Sequence, residues 1–409
     1  MGILEKSLTV DGVTIQNRIV FQPMEGCDCN EDGSPGELTI AKYVAEAKSG
    51  AGLLWLEASA VCPEGRTNKG QMRITKENLG VYKEFVRKLK EIGLKENGFE
   101  PVLIVQLTHS GRQSIVPMIA YRHPMYDKRK PVTDDNIVTD EYLDTVPDMY
   151  VKAAMLAYEA GFDGVDVKSC HGYLFQEFLS AFNRPGRYGG SFENRTRLYT
   201  NCIRAVKKAV DAIENARPFI VASRLGISDM VEKPYGFGTD EENNIDLTES
   251  LELIKIIHEE GINLLNVTIG NPYYNPHINR PFRKGGYEPP ESPETGLKRF
   301  YDSQKKIKEL FPDLVLVGSA FSYYRGEMMK VAEEQIAEGV CDLAGFGRAS
   351  LAYPELYKDY LNGTFLHKKT CVTCSKCTEL MRAGCVSGCA VFNEYYRELY
   401  KEKVLCQKK

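Results

Sequence analysis

With 409 residues, 43% apolar and 26% charged, the chain has the composition of a globular protein with a sizeable core, long enough for two or three average domains or one elaborated barrel. A net charge of −4 leaves no basic excess to neutralise phosphates, which argues against a general nucleic-acid binder. The opening MGILEKSLTVDG lacks the apolar core of a signal peptide, and no apolar run is long enough to span a bilayer, so a cytoplasmic protein without membrane contact is expected.

Eight short apolar runs recur along the chain. They are NRIVFQP (17–23), GLLWLEAS (52–59), PVLIVQL (101–107), FDGVDVK (162–168), PFIVASR (218–224), INLLNVTI (262–269), LVLVGSA (314–320) and CDLAGFG (341–347). Helix-like stretches separate them, such as ELTIAKYVAEAKSG, NLGVYKEFVRKLKEIG and LTESLELIKIIHEEG. Continuous apolar runs, rather than alternating ones, predict strands covered on both faces and hence a parallel sheet. Eight such units predict a (β/α)8 TIM barrel. A doubly wound sheet is the other solution for this pattern, but no Gly-rich dinucleotide fingerprint follows any of the runs.

Two connections are long, 110–136 after the third run and 270–296 after the sixth. Insertions of this length in a compact domain are commonly lids or binding loops, and in a barrel both would stand at the catalytic rim. Past the eighth run, five of the twelve cysteines fall within CVTCSKCTELMRAGCVSGC, from Cys371 to Cys389. Cys371, Cys374 and Cys377 form C-x2-C-x2-C, with Cys389 after a longer gap. Three thiolates so close with a distant fourth are nearer to ferredoxin spacing than to a zinc ribbon, which pairs two C-x2-C units. Zinc or unliganded thiols remain as alternatives, with Cys385 as a spare ligand. The expected division is a barrel over 1–365 and a short C-terminal cysteine-cluster extension over 366–409.

The stretch GFDGVDVKSCHGYLFQEFLSAFNRPGRYGGSFENRTR (161–197) resembles the old yellow enzyme, or NADH:flavin oxidoreductase, family. The resemblance is to its branch with 2,4-dienoyl-CoA reductase, 2-enoate reductase and trimethylamine dehydrogenase. LTVDGVTIQNRIVFQPM, EASAVCPEGR, VQLTHSGRQ and CDLAGFGRAS are similar to other family segments, in the family's order. The resemblance implies FMN. Pro23 and Met24 would line one side of its ring, Ala60 would lie near the ring edge, Gln106 would bond the pyrimidine edge, and Arg224 would sit beside N1 and O2. The physical reading agrees for the phosphate. The seventh and eighth runs end in Gly318-Ser319 and in Gly345, Gly347 and Arg348, where small residues let backbone N–H groups close on an anion. An arginine inside the apolar run FIVASR is costly unless it has a ligand or a partner.

For the reaction, the resemblance implies reduction of the C=C bond of an α,β-unsaturated carbonyl or acyl compound. Hydride would come from N5 of FMN and a proton from Tyr173. The two positions that bond the substrate carbonyl, commonly His-His or His-Asn in the family, are Lys168 and His171 here. Lys168 could equally pair with a substrate carboxylate or a nearby acid. Tyr274 and His277, on the sixth loop, are expected substrate contacts. The branch carries a [4Fe–4S] cluster just past its barrel, which assigns Cys371, Cys374, Cys377 and Cys389 as ligands. No counterpart of its C-terminal FAD and NAD(P)H-binding region is expected. The implied electron donor is a flavodoxin, a ferredoxin, a reductase subunit or NAD(P)H. An amine dehydrogenase or demethylase of the trimethylamine dehydrogenase type is the alternative.

Overall fold

A computed structural model describes residues 2–282 and 287–406. Met1, residues 283–286 of the long sixth loop, and residues 407–409 of the expected C-terminal extension lie outside it. The chain begins with a hairpin, β1 (Leu8–Val10) and β2 (Val13–Ile15), paired antiparallel. Eight parallel strands then close into a barrel: β3 (Ile19–Phe21), β4 (Leu53–Ala60), β5 (Val102–Thr108), β6 (Gly164–Val167), β7 (Ile220–Ser228), β8 (Leu264–Ile269), β9 (Val315–Gly318) and β10 (Leu343–Phe346), with β10 pairing back to β3. Each of the eight apolar runs supplies one barrel strand.

Strand alternation sorts these residues into two cores. Val221 and Leu316 face outward into the layer between sheet and helices. Ile220, Ala222 and Val317 face inward and pack with Trp55, Ile104 and Leu264. Val10 and Ile15 of the hairpin join that inner cluster and cork the N-terminal end of the barrel. The segment LTVDGVTIQNRIVFQPM is therefore a cork followed by a strand.

The covering helices are α1 (Glu37–Ala47), α2 (Leu79–Asn97), α3 (Asp140–Ala160), α4 (Leu174–Leu179), α5 (Phe192–Asp211), α6 (Thr248–Glu259), α7 (Pro276–Asn279), α8 (Pro293–Leu310), α9 (Met328–Ala337), α10 (Arg348–Ala352) and α11 (Leu356–Leu361). The expected loop at 270–296 is shorter than its sequence suggests. Ser292 accepts a hydrogen bond from the Thr295 N–H and caps α8, whose first residue is Pro293. The loop at 110–136 is fastened by buried Arg112, which pairs with Glu177 of α4 and, at 2.6 Å, with Asp127. Two short helices, α12 (Lys376–Arg382) and α13 (Glu394–Tyr400), form the C-terminal segment around Leu380, Ala390, Tyr396, Tyr400 and Val404. Among the described residues no helix is long and apolar enough to cross a membrane.

Candidate active site

A cavity of about 170 Å³ opens where the C-terminal ends of the strands meet the long loops and α12. Of the residues expected around a flavin and its substrate, Pro23, Met24, Gln106, Lys168, His171, Tyr173, Arg224, Ser319, Gly345, Gly347 and Arg348 line it. Gly318 lies just beneath, its carbonyl within 3.5 Å of Gln22 Nε2. Three expected residues lie elsewhere. A bulge in β4 between Leu56 and Ala58 turns Ala58, rather than Glu57, inward, and Ala58, not Ala60, lines the cavity. Tyr274 and His277 line a separate cavity beside Met125 and Met230, and Tyr273 occupies the place expected for its neighbour.

Asp166 on β6 organises the floor. It is fully buried, accepts from Trp55 Nε1 at 2.9 Å, from Gln106 Nε2 at 2.6 Å and from the Arg224 backbone N–H at 2.7 Å, and burial pushes its pKa up to about 6. Because the Gln106 amide nitrogen is committed to Asp166, its carbonyl oxygen is left to accept from a ligand N–H. Arg224 is buried, and its Nε has no hydrogen-bond partner among the described residues. Arg348, also buried, has an unpartnered Nη1. Two desolvated guanidinium groups with spare donors require anions. Gly345 has to be glycine for space: a Cβ there would lie 2.6 Å from the Gly318 backbone carbonyl oxygen. The acceptor at Gln106, the cation at Arg224 and the cationic cradle at Ser319, Gly347 and Arg348 fit the ring and phosphate of FMN.

The reacting groups stand on the turn after β6. His171 (φ +65°) and Gly172 (φ +69°) both adopt the left-handed conformation, which holds His171 and Tyr173 at the cavity wall. His171 is kept neutral: burial, then the charges of Arg224, Lys168 and Arg280, hold its pKa well below the usual range, and its Nε2 has no partner among the described residues. The Lys168 ammonium lies 3.7 Å from the centre of the Tyr173 ring, and burial lowers its pKa. Tyr173 is 3% exposed, and burial and the Glu25 carboxylate raise its pKa well above the usual range. It is therefore a protonated phenol at neutral pH. Its hydroxyl donates to Glu25 Oε2 at 3.3 Å and lies 3.2 Å from the hydroxyl of Tyr273.

Sequence reasoning missed Glu25, Tyr273, Arg280 and Arg382. Glu25 immediately follows Pro23-Met24, so its closeness to that motif was the available signal. The backbone on both sides of it is fixed by one buried ion pair. Lys42 of α1 pairs with Glu57 of β4, Lys42 Nζ also donates to the Met24 carbonyl at 3.3 Å, and Glu57 Oε2 accepts from the Gly26 N–H at 2.8 Å. Tyr273 is held through its backbone: Arg129 donates to its carbonyl at 2.9 Å and Arg382 to the Pro272 carbonyl at 3.0 Å. Five cations, Lys168, Arg224, Arg280, Arg348 and Arg382, line the cavity with a single carboxylate, Glu25, among the described residues.

Cys371, Cys374, Cys377 and Cys389 line one small cavity behind Arg348. Thr373 (φ +52°) and Ser375 (φ +61°) are left-handed, and they curl the chain so that the three closely spaced thiols turn to one side. The Thr373 N–H donates to Cys371 Sγ at 3.4 Å. Cys385 lines a different cavity, and Cys377 also lines the barrel mouth. Among the described residues no three His, Cys, Asp or Glu side chains close to the distance of a single metal ion; the four thiols surround a space instead. Arg280 donates to Thr378 Oγ1, and the Ser387 N–H donates to the Gly26 carbonyl at 2.7 Å, so this segment is tied to the loops that carry the site.

Residues 4–363 match the family described as NADH:flavin oxidoreductase / NADH oxidase. The chain is similar to an NADH oxidase of Thermoanaerobacter brockii, 28% identical over 386 residues, which cover 93% of this chain and 52% of that protein. The fold is similar to that of a 2-naphthoyl-CoA reductase solved with 2-naphthoyl-CoA, with a TM-score of 0.77 at 20% identity, covering 98% of this chain and 58% of the other. It is also similar to an old yellow enzyme homologue from Zymomonas mobilis, with a TM-score of 0.66 at 22% identity, covering 89% and 93%. The chain thus spans about half the length of the first of these relatives.

Proposed function

The chain belongs to the NADH:flavin oxidoreductase / NADH oxidase family of flavin-dependent oxidoreductases, and from that premise we propose that it is an FMN- and [4Fe–4S]-dependent ene-reductase acting on an α,β-unsaturated carbonyl or acyl compound. The observation that carries this reading is the convergence of Tyr173, His171 and Lys168 on the cavity that Gln106, Arg224 and Arg348 also line. FMN bound there would supply the hydride. Gln106 accepts from the ring N–H, Arg224 holds negative charge at the ring's polar edge, and Ser319, Gly347 and Arg348 hold the phosphate. His171 and Lys168 polarise the substrate carbonyl and stabilise the charge that develops on its oxygen. Tyr173, held protonated by burial and by Glu25, delivers a proton to the α-carbon. The loops carrying Arg129 and Tyr273 limit the access of water.

Four thiols spread around one cavity suit a cuboidal cluster, whose ligands stand apart around it, and Cys377 borders the flavin cavity as well. On this reading residues 1–365 hold FMN and residues 366–409 the cluster. Electrons then arrive from NAD(P)H or from a separate carrier such as a flavodoxin, a ferredoxin or a reductase subunit. Amine oxidation is the weaker alternative, because it would place a substrate cation among five protein cations facing one carboxylate.

The test is anaerobic purification with a visible spectrum and metal analysis, followed by kinetics on the reduced protein. About four iron and four sulfide per chain are expected. Tyr173→Phe lowers alkene reduction by on the order of 100-fold and changes flavin reduction far less. Unchanged alkene turnover in that variant removes Tyr173 from its role.

A further inference from the structure

On the ene-reductase reading Tyr173 loses its proton in every turnover, and it is only 3% exposed, at the wall of the cavity that the substrate would fill. Among the described residues its hydroxyl has two hydrogen-bond partners, Glu25 Oε2 at 3.3 Å and the Tyr273 hydroxyl at 3.2 Å. The other oxygen of Glu25 points away from the phenol. Oε1 accepts from Thr67 Oγ1 at 3.2 Å, and that hydroxyl is itself held by Asn68 Nδ2 at 2.8 Å. Thr67 and Asn68 line a second cavity of about 420 Å³, between the 67–70 loop and the 381–385 segment. Glu25 and Tyr273 line both cavities and so form part of the partition between them.

We propose that Glu25, assisted by Tyr273, is a proton relay that recharges Tyr173 from the second cavity, by a route separate from the one the substrate uses. The inference rests on the ene-reductase reading. It assigns Glu25 as a positioning residue, acting through Tyr173.

The step moves protons only. The Glu25 carboxylate, which accepts from the Tyr173 hydroxyl at rest, takes a proton at Oε1 from a hydronium ion of the solvent in the second cavity, which becomes water. Once the Tyr173 O–H bond has broken and the new C–H bond has formed, the carboxyl group turns about its Cγ–Cδ bond and gives that proton to the phenolate oxygen, which restores both the phenol and the carboxylate. A carboxyl group suits this role because half a turn exchanges its two oxygens between the two cavities. The Lys42–Glu57 pair, by fixing the backbone at Met24 and Gly26, holds the group at that partition. Lys168 does not substitute for Glu25, since its ammonium stands over the ring face and not at the hydroxyl. From there it stabilises the phenolate until the proton returns.

The experiment uses holoenzyme with Glu25→Gln, Glu25→Asp and Tyr273→Phe, 2-cyclohexen-1-one as the probe alkene, and excess reductant. First-turnover and steady-state rates of alkene reduction are compared. In Glu25→Gln, Tyr173 starts protonated but is recharged slowly, so the ratio of first-turnover to steady-state rate rises by on the order of 30-fold. Glu25→Asp restores part of the loss, and Tyr273→Phe raises the ratio by about threefold. A second readout needs no substrate: the phenolate difference titration between proteins with and without Tyr173→Phe moves to lower pH when Glu25 is also replaced by Gln. First-turnover and steady-state rates falling together, or an unmoved titration, overturns the relay alone. A wild type whose flavin is reduced but which reduces no alkene overturns the ene-reductase reading, and the relay with it.

Discussion

The barrel buries its strands on both faces, in an inner apolar cluster closed by the hairpin and an outer layer beneath the helices. The segment from Cys371 onward gathers only Leu380, Ala390, Tyr396, Tyr400 and Val404 into a core of its own. The barrel is therefore stabilised mainly by burial of apolar surface. The segment depends on fastenings: Arg280 to Thr378, Arg382 to the Pro272 carbonyl, and Ser387 to the Gly26 carbonyl. Small units with little core commonly need such staples. The charges in the barrel, by contrast, are set into an interior already closed, where each has to be matched.

The comparison breaks most visibly at Lys42. Lys42→Met strands Glu57, which is fully buried, and withdraws charge compensation from Glu46. Equilibrium denaturation should show a loss of about 4 kcal/mol in the barrel transition; a loss below about 1 kcal/mol would mean that water reaches these carboxylates.

The next effect in size is a pH dependence. One lysine cannot neutralise two buried carboxylates, and burial raises the pKa of Glu46 to about 7. A group whose folded pKa lies above its unfolded value adds stability that is complete below the unfolded pKa and is lost as pH rises through the folded one. Barrel stability should therefore fall between about pH 4.5 and pH 7 through this group. Glu46→Gln, which keeps a hydrogen-bond acceptor for Ser350, should flatten that slope and gain about 2 kcal/mol at pH 8. Stability that rises over this interval with the same slope in both proteins would remove Glu46 as its source.

The smallest effect sharpens the contrast from the other side. Val404→Ala should cost about 1 kcal/mol, felt within the C-terminal segment alone. Hydrogen exchange over 371–406 would quicken about fivefold while the barrel's melting temperature stays put. A barrel that melts earlier would mean that the two regions unfold as one.

Much of this was legible in the sequence. All eight barrel strands announced themselves as apolar runs, because a strand covered on both faces has no polar side to show. Arg224 stood out as a charge at the end of such a run, and the resemblance, not the spacing alone, set Cys389 ahead of Cys385, which lines a different cavity from the other four thiols. What stayed hidden depends on register or on distant partners. The bulge at Leu56–Ala58 turns Ala58 inward where plain alternation would turn Glu57, and a bulge leaves little mark in composition. In the pair Tyr273-Tyr274 only the path of the loop decides which ring turns inward. Glu25 becomes notable only when a strand end some 150 residues downstream delivers Tyr173 to it, 148 positions apart in the chain. The helix at Pro293–Leu310 was obscured by the Pro- and Gly-rich stretch before it, although Ser292 followed by Pro293 and Glu294 is an ordinary helix start.

The hairpin cork has a consequence for traffic. It closes the end of a barrel whose interior the apolar cluster already fills, so the cavity is reached from the rim that the long loops and α12 surround. On the proposed reading, a donor and an acceptor that both touch the floor directly would use that one doorway, and two too large to share it would have to alternate.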